Sequence, residues 1–215
     1  MVDLKELHDA ILCGNAKKAE AVTKAALAEK ADPSELISKF MIPAMDEVGK
    51  RFECNEYFVP ELLIAARAMK VSLELVAPLL LAAGVERTGR VVIGTVQGDL
   101  HDIGKNLVAS MLEGSGFEVV DLGVDVSPEK FVAAAKEKEG TIVAISALLT
   151  TTMTMMKAVV QALEKAGIRD RTKVIVGGAP ITRAFADEIG ADGFGENASN
   201  AVAVARKLVQ AIVVA

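Results

Sequence analysis

Residues 91–106 read VVIGTVQGDLHDIGKN, and this stretch decides the fold. It begins with a β-branched, apolar run at Val91–Val96, which is typical of a buried strand. A loop of Gly, Asp and His follows, and a helical pattern starts at Ile103. A strand that passes through such a loop into a helix is the opening unit of an α/β fold.

The same alternation continues to the end of the chain. We predict strands at Val91–Val96, Glu118–Leu122, Ile142–Ser146, Val174–Val176 and around Gly193-Phe194. We predict helices at Ile103–Glu113, Pro128–Lys138, Thr154–Ala166, Ile181–Ile189 and Ala198–Val213. Five strand–helix repeats predict a Rossmann-like, flavodoxin-like parallel sheet with helices on both faces.

The residues before this unit carry a helical pattern throughout. Asn15 is a predicted N-cap, and Asp32-Pro33-Ser34 starts a third helix with proline in its first turn. Pro60 opens a fourth helix. We therefore predict an all-α four-helix bundle over residues 1–86, followed by the α/β domain over residues 87–215.

The composition limits the classes of function. The chain has 24 basic and 29 acidic residues and no basic run, which argues against nucleic-acid binding. No apolar run reaches the length of a membrane span, and the N-terminus lacks the apolar core of a signal peptide. Cys13 and Cys54 do not form a CxxC motif, so we expect two reduced thiols in a cytoplasmic protein.

The loop after the first strand admits several interpretations. A phosphate-binding loop is rejected, because five residues separate Gly98 from Gly104 and Asn106 follows Lys105. A zinc or two-metal site on Asp99, His101 and Asp102 would need further ligands from other segments. A receiver domain would need an aspartate at the end of the third strand, where this chain has Ser146.

Two interpretations of the loop remain. Asp99 could simply cap the start of a helix, which is the ordinary role of a lone Asp-x-His. Alternatively, His101 could be the single protein ligand of a metal whose other ligands come from a macrocycle, with Asp99 orienting the far ring nitrogen.

The wider pattern favours the macrocycle. Asp99-x-His101-x-x-Gly104 is followed by Ser146-Ala147-Leu148 and by Gly177-Gly178, each at a predicted strand end. These elements and spacings resemble the cobalamin-binding signature of methionine synthase, of B12-dependent mutases and of small corrinoid proteins of methyltransferase systems.

The resemblance implies roles for individual residues. His101 would replace the benzimidazole base as the lower cobalt ligand, so that cobalamin binds base-off and His-on. Asp99 would bond the other nitrogen of His101, and Thr152 would supply the third hydroxyl of the relay. The cofactor would contact the residues of the loop and of a slot for the nucleotide tail: Gly98, Asp99, Leu100, His101, Asp102, Ile103, Gly104, Ser146, Leu148, Thr150, Gly177, Gly178 and Ala198.

The helical half carries the resemblance as well. Residues 42–49 and 52–62 look like the helical cap of methionine synthase and of small methyl carriers. In those proteins, bulky apolar side chains cover the upper face of cobalt, and Phe52, Val59 and Leu62 occupy the matching positions. The interpretation without a cofactor is that all three belong to the bundle core.

The resemblance implies a corrinoid carrier subunit rather than a stand-alone catalyst. A donor-specific methyltransferase would place a methyl group on Co(I), with methylamines, betaines, methanol or methoxy-aryl ethers as donors, and we favour methylamines or betaines. An acceptor methyltransferase would pass it from methyl-Co(III) to tetrahydrofolate or to a thiol such as coenzyme M, and a reductive activation protein would rescue Co(II). A cobalamin-dependent sensor is the alternative.

Overall fold

The computed structural model describes residues 2–82, 88–139 and 141–214. The chain forms two compact units. One comprises residues 1–87 with Glu113–Gly116, and the other comprises Thr88–Leu112 with Phe117–Ala215. The predicted domain boundary between residues 86 and 87 lies outside the described residues and stays a prediction.

The first unit is helical, as predicted. Its helices are α1 (Lys5–Leu12), α2 (Ala16–Ala28), α3 (Pro33–Glu35), α4 (Ile42–Glu53) and α5 (Val59–Ala82), and a π-helical turn at Leu36–Met41 joins α3 to α4. The side chain of Asn15 accepts the N–H of Lys18, and that of Asp32 accepts the N–H of Ser34. The predicted N-cap at Asn15 is therefore formed, and Asp32 caps the predicted helix that begins at Pro33.

The π-helical turn was not predicted, and Pro43 explains it. Proline has no N–H to donate to the carbonyl of Lys39, and its ring would clash with that carbonyl in a regular α-helix. A wider turn ahead of the proline removes the clash, so the chain from Pro33 to Glu53 continues as one helical segment.

Apolar side chains of α1, α2, α4, α5 and the π-helical turn fill the centre of this unit. Because aromatic residues are scarce, aliphatic and methionine side chains supply the volume, and the fully buried ones include Leu7, Ile11, Leu36, Met41, Met45, Leu62 and Met69. No helix in the described part of the chain is long and apolar enough to cross a membrane.

The second unit is a parallel α/β domain, which confirms the predicted fold class. Its strands are β1 (Arg90–Thr95), β2 (Glu118–Asp121), β3 (Thr141–Ser146), β4 (Lys173–Gly177) and β5 (Gly193–Gly195). Its helices are α6 (Ile103–Glu113), α7 (Pro128–Lys136), α8 (Met153–Lys165), α9 (Arg183–Glu188) and α10 (Ala198–Val214). All strands are parallel, in the spatial order β2-β1-β3-β4-β5.

The register brings four strand ends into one row. Thr95 pairs with Ser146, Ser146 pairs with Gly177, and Gly177 pairs with Gly195. The chain order reverses between β1 and β3, and ligands of open parallel sheets bind at the carboxyl edge beside such a reversal. The loop that carries His101 leaves β1 at this point.

Gly178 follows β4 in a conformation that only glycine adopts readily. Its φ is +132°, and a Cβ atom placed there would lie 1.9 Å from the carbonyl oxygen of Ala147. The glycine therefore lets the chain after β4 pass against the backbone at the end of β3. The protein itself requires this glycine, whatever the ligand.

We expect Gly178→Ala to destabilise the protein by at least about 2 kcal/mol, because it adds backbone strain to a clash with main-chain atoms. Gly167→Ala is the matched control, since Gly167 also has positive φ (+68°) but a Cβ there meets nothing within 4 Å. Urea unfolding of both variants measures the difference. An equal decrease in the free energy of unfolding in the two variants would contradict a clash at Gly178.

Candidate cofactor site at the carboxyl edge of the sheet

A tight turn presents His101 just beyond β1. Gly98 has a φ of +82°, and the N–H of Asp99 donates to the carbonyl of Val96 at 3.1 Å. The hydroxyl of Thr95, which is fully buried, donates to the carbonyl of His101 at 2.8 Å. The loop is therefore folded back onto the end of its own strand, with the imidazole of His101 about half exposed.

The carboxylate of Asp99 is the centre of the site. Its side chain is fully buried. Oδ1 accepts the main-chain N–H of His101 at 3.1 Å and lies 2.9 Å from the ring Nδ1 of that residue. Oδ2 accepts the N–H groups of Leu148 at 2.8 Å and Leu149 at 3.2 Å, and lies 2.8 Å from the hydroxyl of Thr152.

These contacts keep Asp99 ionised. Burial alone would raise the pKa of Asp99, but the hydrogen bonds that it accepts outweigh this effect and hold the pKa well below its usual range. An ionised carboxylate has no proton to donate, so Nδ1 of His101 must carry the proton of that hydrogen bond. The lone pair of the neutral imidazole then lies on Nε2, the nitrogen that faces away from Asp99.

The hydroxyl of Thr152 has two acceptors within reach. It lies 2.8 Å from Oδ2 of Asp99 and 2.9 Å from the carbonyl of Leu149, and it has one proton to give. The structure thus brings the three predicted relay residues, His101, Asp99 and Thr152, into one hydrogen-bonded chain. The relay role itself remains a prediction.

Several residues of the site were missed at the sequence level. Thr95 supports the His101 carbonyl, and the main-chain N–H of Leu149 donates to Asp99. Lys105 in α6 is buried, and its ammonium group donates to the side chains of Asn106 and Asp121. A hydroxyl at a strand end could have pointed to Thr95, but main-chain donors leave no signal in residue type.

An exposed apolar rim surrounds the imidazole. Leu100 and Ile103, which flank His101 in sequence, are 72% and 82% exposed, and Leu148 and Leu149 after β3 are exposed as well. Large aliphatic side chains gain free energy when they leave water, so their exposure here indicates a broad apolar ligand beside His101. Asp102 is exposed in the same loop, and Gly104 is exposed in the first turn of α6.

The residues predicted to line the tail slot lie beside this rim. Ser146 and Gly177 are register partners at the ends of β3 and β4, and Gly178 follows directly. Ala198 is buried and begins α10 after β5, whereas Thr150 is exposed in the loop before α8. The fold brings the strand-end residues to one edge, and their contact with a tail stays a prediction.

The predicted cap residues lie in the helical unit. Leu62 is fully buried, Phe52 is partly buried, and Val59 is exposed at the start of α5. Phe58 and Leu63 beside them are exposed too. The structure by itself assigns no ligand to this surface, so the role of Phe52, Val59 and Leu62 also stays a prediction.

The donor set fits a corrinoid. Among the described residues there is no group of three His, Cys, Asp or Glu side chains that could hold a metal ion, which leaves no support for a protein-ligated zinc or two-metal site. One imidazole with a fixed tautomer, set in an apolar rim, suits a metal whose remaining ligands come from a macrocycle.

Comparison with known proteins identifies the class. Residues 89–203 match the family described as B12 binding domain, and residues 3–76 match a second family of the same description. A dimethylamine corrinoid protein of Methanosarcina acetivorans is 44% identical over 207 residues, and a trimethylamine corrinoid protein of that organism is 46% identical over 208 residues. Each match covers 96% of both chains.

A solved structure is similar over most of the chain. The crystal structure of the methanol:cobalamin methyltransferase complex from Methanosarcina barkeri contains a chain that is 30% identical, with a TM-score of 0.82. The match covers 96% of this chain and 80% of that one. This chain therefore belongs to the B12-binding family, as a corrinoid protein of a methyltransferase system. It binds a corrinoid and is a methyl carrier.

We expect Asp99→Asn to lower the free energy of unfolding of the apo-protein by about 3 kcal/mol near neutral pH, because the amide would turn a donor towards buried N–H groups. The depressed pKa of Asp99 stabilises the fold fully above the unfolded aspartate pKa of about 3.9. That stabilisation is lost as pH falls further, so the two proteins should converge in acid. Urea unfolding at a series of pH values measures the difference in free energy of unfolding between the two proteins.

Asp102→Asn is the matched control, because Asp102 is exposed and its carboxylate accepts a hydrogen bond from the side chain of Asn106. Its effect should stay within about 0.5 kcal/mol at every pH. A gap between wild type and Asp99→Asn that stays constant into acid would show that the charge of Asp99 contributes nothing.

Proposed function

We propose that Nε2 of His101 is the lower axial ligand of cobalt, with the corrinoid bound base-off and His-on. The observation that carries this proposal is the hydrogen bond of 2.9 Å between Nδ1 of His101 and the buried carboxylate of Asp99. This hydrogen bond keeps the proton on Nδ1 and the lone pair on Nε2, and it makes the imidazole a better donor to a metal. A bound corrinoid supplies the cobalt that accepts and releases the methyl group.

The protein residues set the basicity and the position of that ligand. Asp99 cannot turn away from His101, because both of its oxygens are already held by main-chain N–H groups. The hydroxyl of Thr152 donates to the same carboxylate or, after rotation, to the carbonyl of Leu149. Because these hydrogen bonds hold the pKa of Asp99 low, a proton taken up by the relay would not sit on Asp99.

The strand-end residues form the proposed slot for the nucleotide tail. Ser146, Gly177 and Gly178 lie at the carboxyl edge, next to the loop that carries His101. Ser146 offers a hydroxyl to polar groups of the tail, and the glycines remove side chains that would block its path. Thr150 and Ala198 would complete the slot, and Phe52, Val59 and Leu62 would cover the opposite cobalt face.

The proposed role in metabolism is methyl transfer from methylamines. The support is the similarity to dimethylamine and trimethylamine corrinoid proteins over 96% of the chain. The partners would be a donor-specific methyltransferase, an acceptor methyltransferase that serves a thiol or tetrahydrofolate, and a reductive activation protein. The similarity to a chain of a methanol:cobalamin methyltransferase complex supports direct binding to the donor enzyme.

Electron paramagnetic resonance of the Co(II) form tests the ligand. The chain contains two histidines, so protein labelled with ¹⁵N-histidine should change the axial nitrogen splitting from a triplet to a doublet. His101→Ala should abolish the splitting from the label. His8→Ala is the matched control and should leave it intact. A triplet that survives labelling would show that the lower base of the cofactor remains bound, against the proposal.

Methyl transfer tests the donor. The reduced holo-protein is mixed with purified methyltransferases specific for monomethylamine, dimethylamine, trimethylamine or methanol, each with and without its substrate. The cobalt absorption spectrum should report methylation with at least one methylamine enzyme and none with the methanol enzyme. Methylation by the methanol enzyme alone would overturn the choice of donor while leaving the His101 assignment standing.

A further inference from the structure

Asp125, in the loop between β2 and α7, binds the loop that carries His101 at two adjacent residues. Its carboxylate Oδ1 accepts the N–H of Gly98 at 2.7 Å. Its own N–H donates to the carbonyl of Asp99 at 3.0 Å. The contacts span 27 and 26 positions in sequence, so Asp125 braces a distant loop and does not merely cap its own turn.

The backbone of Asp125 is unusual for this chain. Among the described residues, three that are not glycine have positive φ: Lys30, Asn55 and Asp125. Lys30 and Asn55 each lie two residues beyond a helix, where the left-handed conformation commonly ends helices. Asp125, with a φ of +52°, follows no helix, and Val126 and Ser127 separate it from the start of α7. Its strained conformation is associated with the contacts to Gly98 and Asp99.

These contacts extend the pairing of β1 with β2 beyond the two strands. The N–H of Thr95 donates to the carbonyl of Gly123, and the N–H of Val126 donates to the carbonyl of Thr95, both at 3.0 Å. Val96 and Val126 form an isolated parallel bridge. Asp125 thus projects from a segment that is itself fixed to the sheet, which makes it a rigid support for Gly98 and Asp99.

We propose that Asp125 is a positioning residue for the axial ligand: it holds the Gly98–Asp99 turn so that the carboxylate of Asp99 meets Nδ1 of His101. This inference rests on the proposed His101 ligation. The main-chain N–H of Gly98 has its hydrogen bond to Asp125, and glycine at φ +82° is the residue of the turn with the greatest conformational freedom. Without the carboxylate the turn samples other conformations, and His101 reaches the metal less often.

Two substitutions at Asp125 distinguish the effect of the side-chain acceptor from the effect of the backbone conformation. Asp125→Gly tolerates the left-handed conformation and removes the acceptor of the Gly98 N–H. Asp125→Asn also tolerates that conformation and keeps an acceptor oxygen. Because Asp125 is exposed, neither substitution opens a cavity in the core, and both proteins should fold.

The readouts are the Co(II) resonance of protein loaded with cobalamin and labelled with ¹⁵N-histidine, and amide exchange of Gly98 in the apo-protein. We expect Asp125→Gly to lower the ratio of His-on to His-off cofactor about tenfold, the value of one charge-assisted hydrogen bond. Gly98 should exchange faster in the same variant. Asp125→Asn should restore both properties to near the wild-type values.

The outcomes distinguish this inference from the proposed function. Wild-type protein without a histidine splitting contradicts the proposed ligation. A wild-type splitting that Asp125→Gly leaves unchanged keeps the ligation and overturns the role of Asp125. Loss of the splitting in Asp125→Asn as well as in Asp125→Gly also overturns it, because the acceptor oxygen would then not be the feature that matters.

Discussion

The buried carboxylate of Asp99 is the interaction on which the site depends. A carboxylate without water is stable only where donors replace its hydration, and here N–H groups from its own loop and from the segment after β3 do so. Those donors also fix the tautomer of His101, since an ionised Asp99 can only accept a hydrogen bond from Nδ1–H, which leaves the lone pair on Nε2. The tautomer of the candidate ligand is therefore a consequence of how two loops meet.

The sheet makes that meeting possible. Because β1 and β3 are adjacent and parallel, the loops that leave them start from paired residues, Thr95 and Ser146. Gly178 allows the backbone after β4 to pass close to Ala147 at the same edge. The same backbone packing at this edge stabilises the fold and builds the site. A substitution at Gly178 therefore lowers the stability of the protein with or without cofactor.

Much of this could be predicted from the sequence. The alternation of short β-branched runs with helical segments predicts the parallel sheet, because a strand buried on both faces must be apolar along its length. Asn15 and Asp32 indicate where helices begin, and in the structure the side chain of each accepts an N–H group of the first turn. The pattern Asp99-x-His101-x-x-Gly104 identifies the loop through its resemblance to the cobalamin-binding signature, and the structure places the carboxylate of Asp99 against the imidazole of His101.

The sequence by itself determined the two-part fold and the identity of His101 and Asp99 as the candidate pair, because local periodicity and a short-range motif carry that information. Only the tertiary structure decided which distant groups complete the site. The main-chain N–H groups of Leu148 and Leu149 have no residue-specific signal, and Asp125 meets Gly98 only because β2 lies beside β1. Contacts of this kind depend on the order of strands in the sheet, and that order emerges only when the whole core packs.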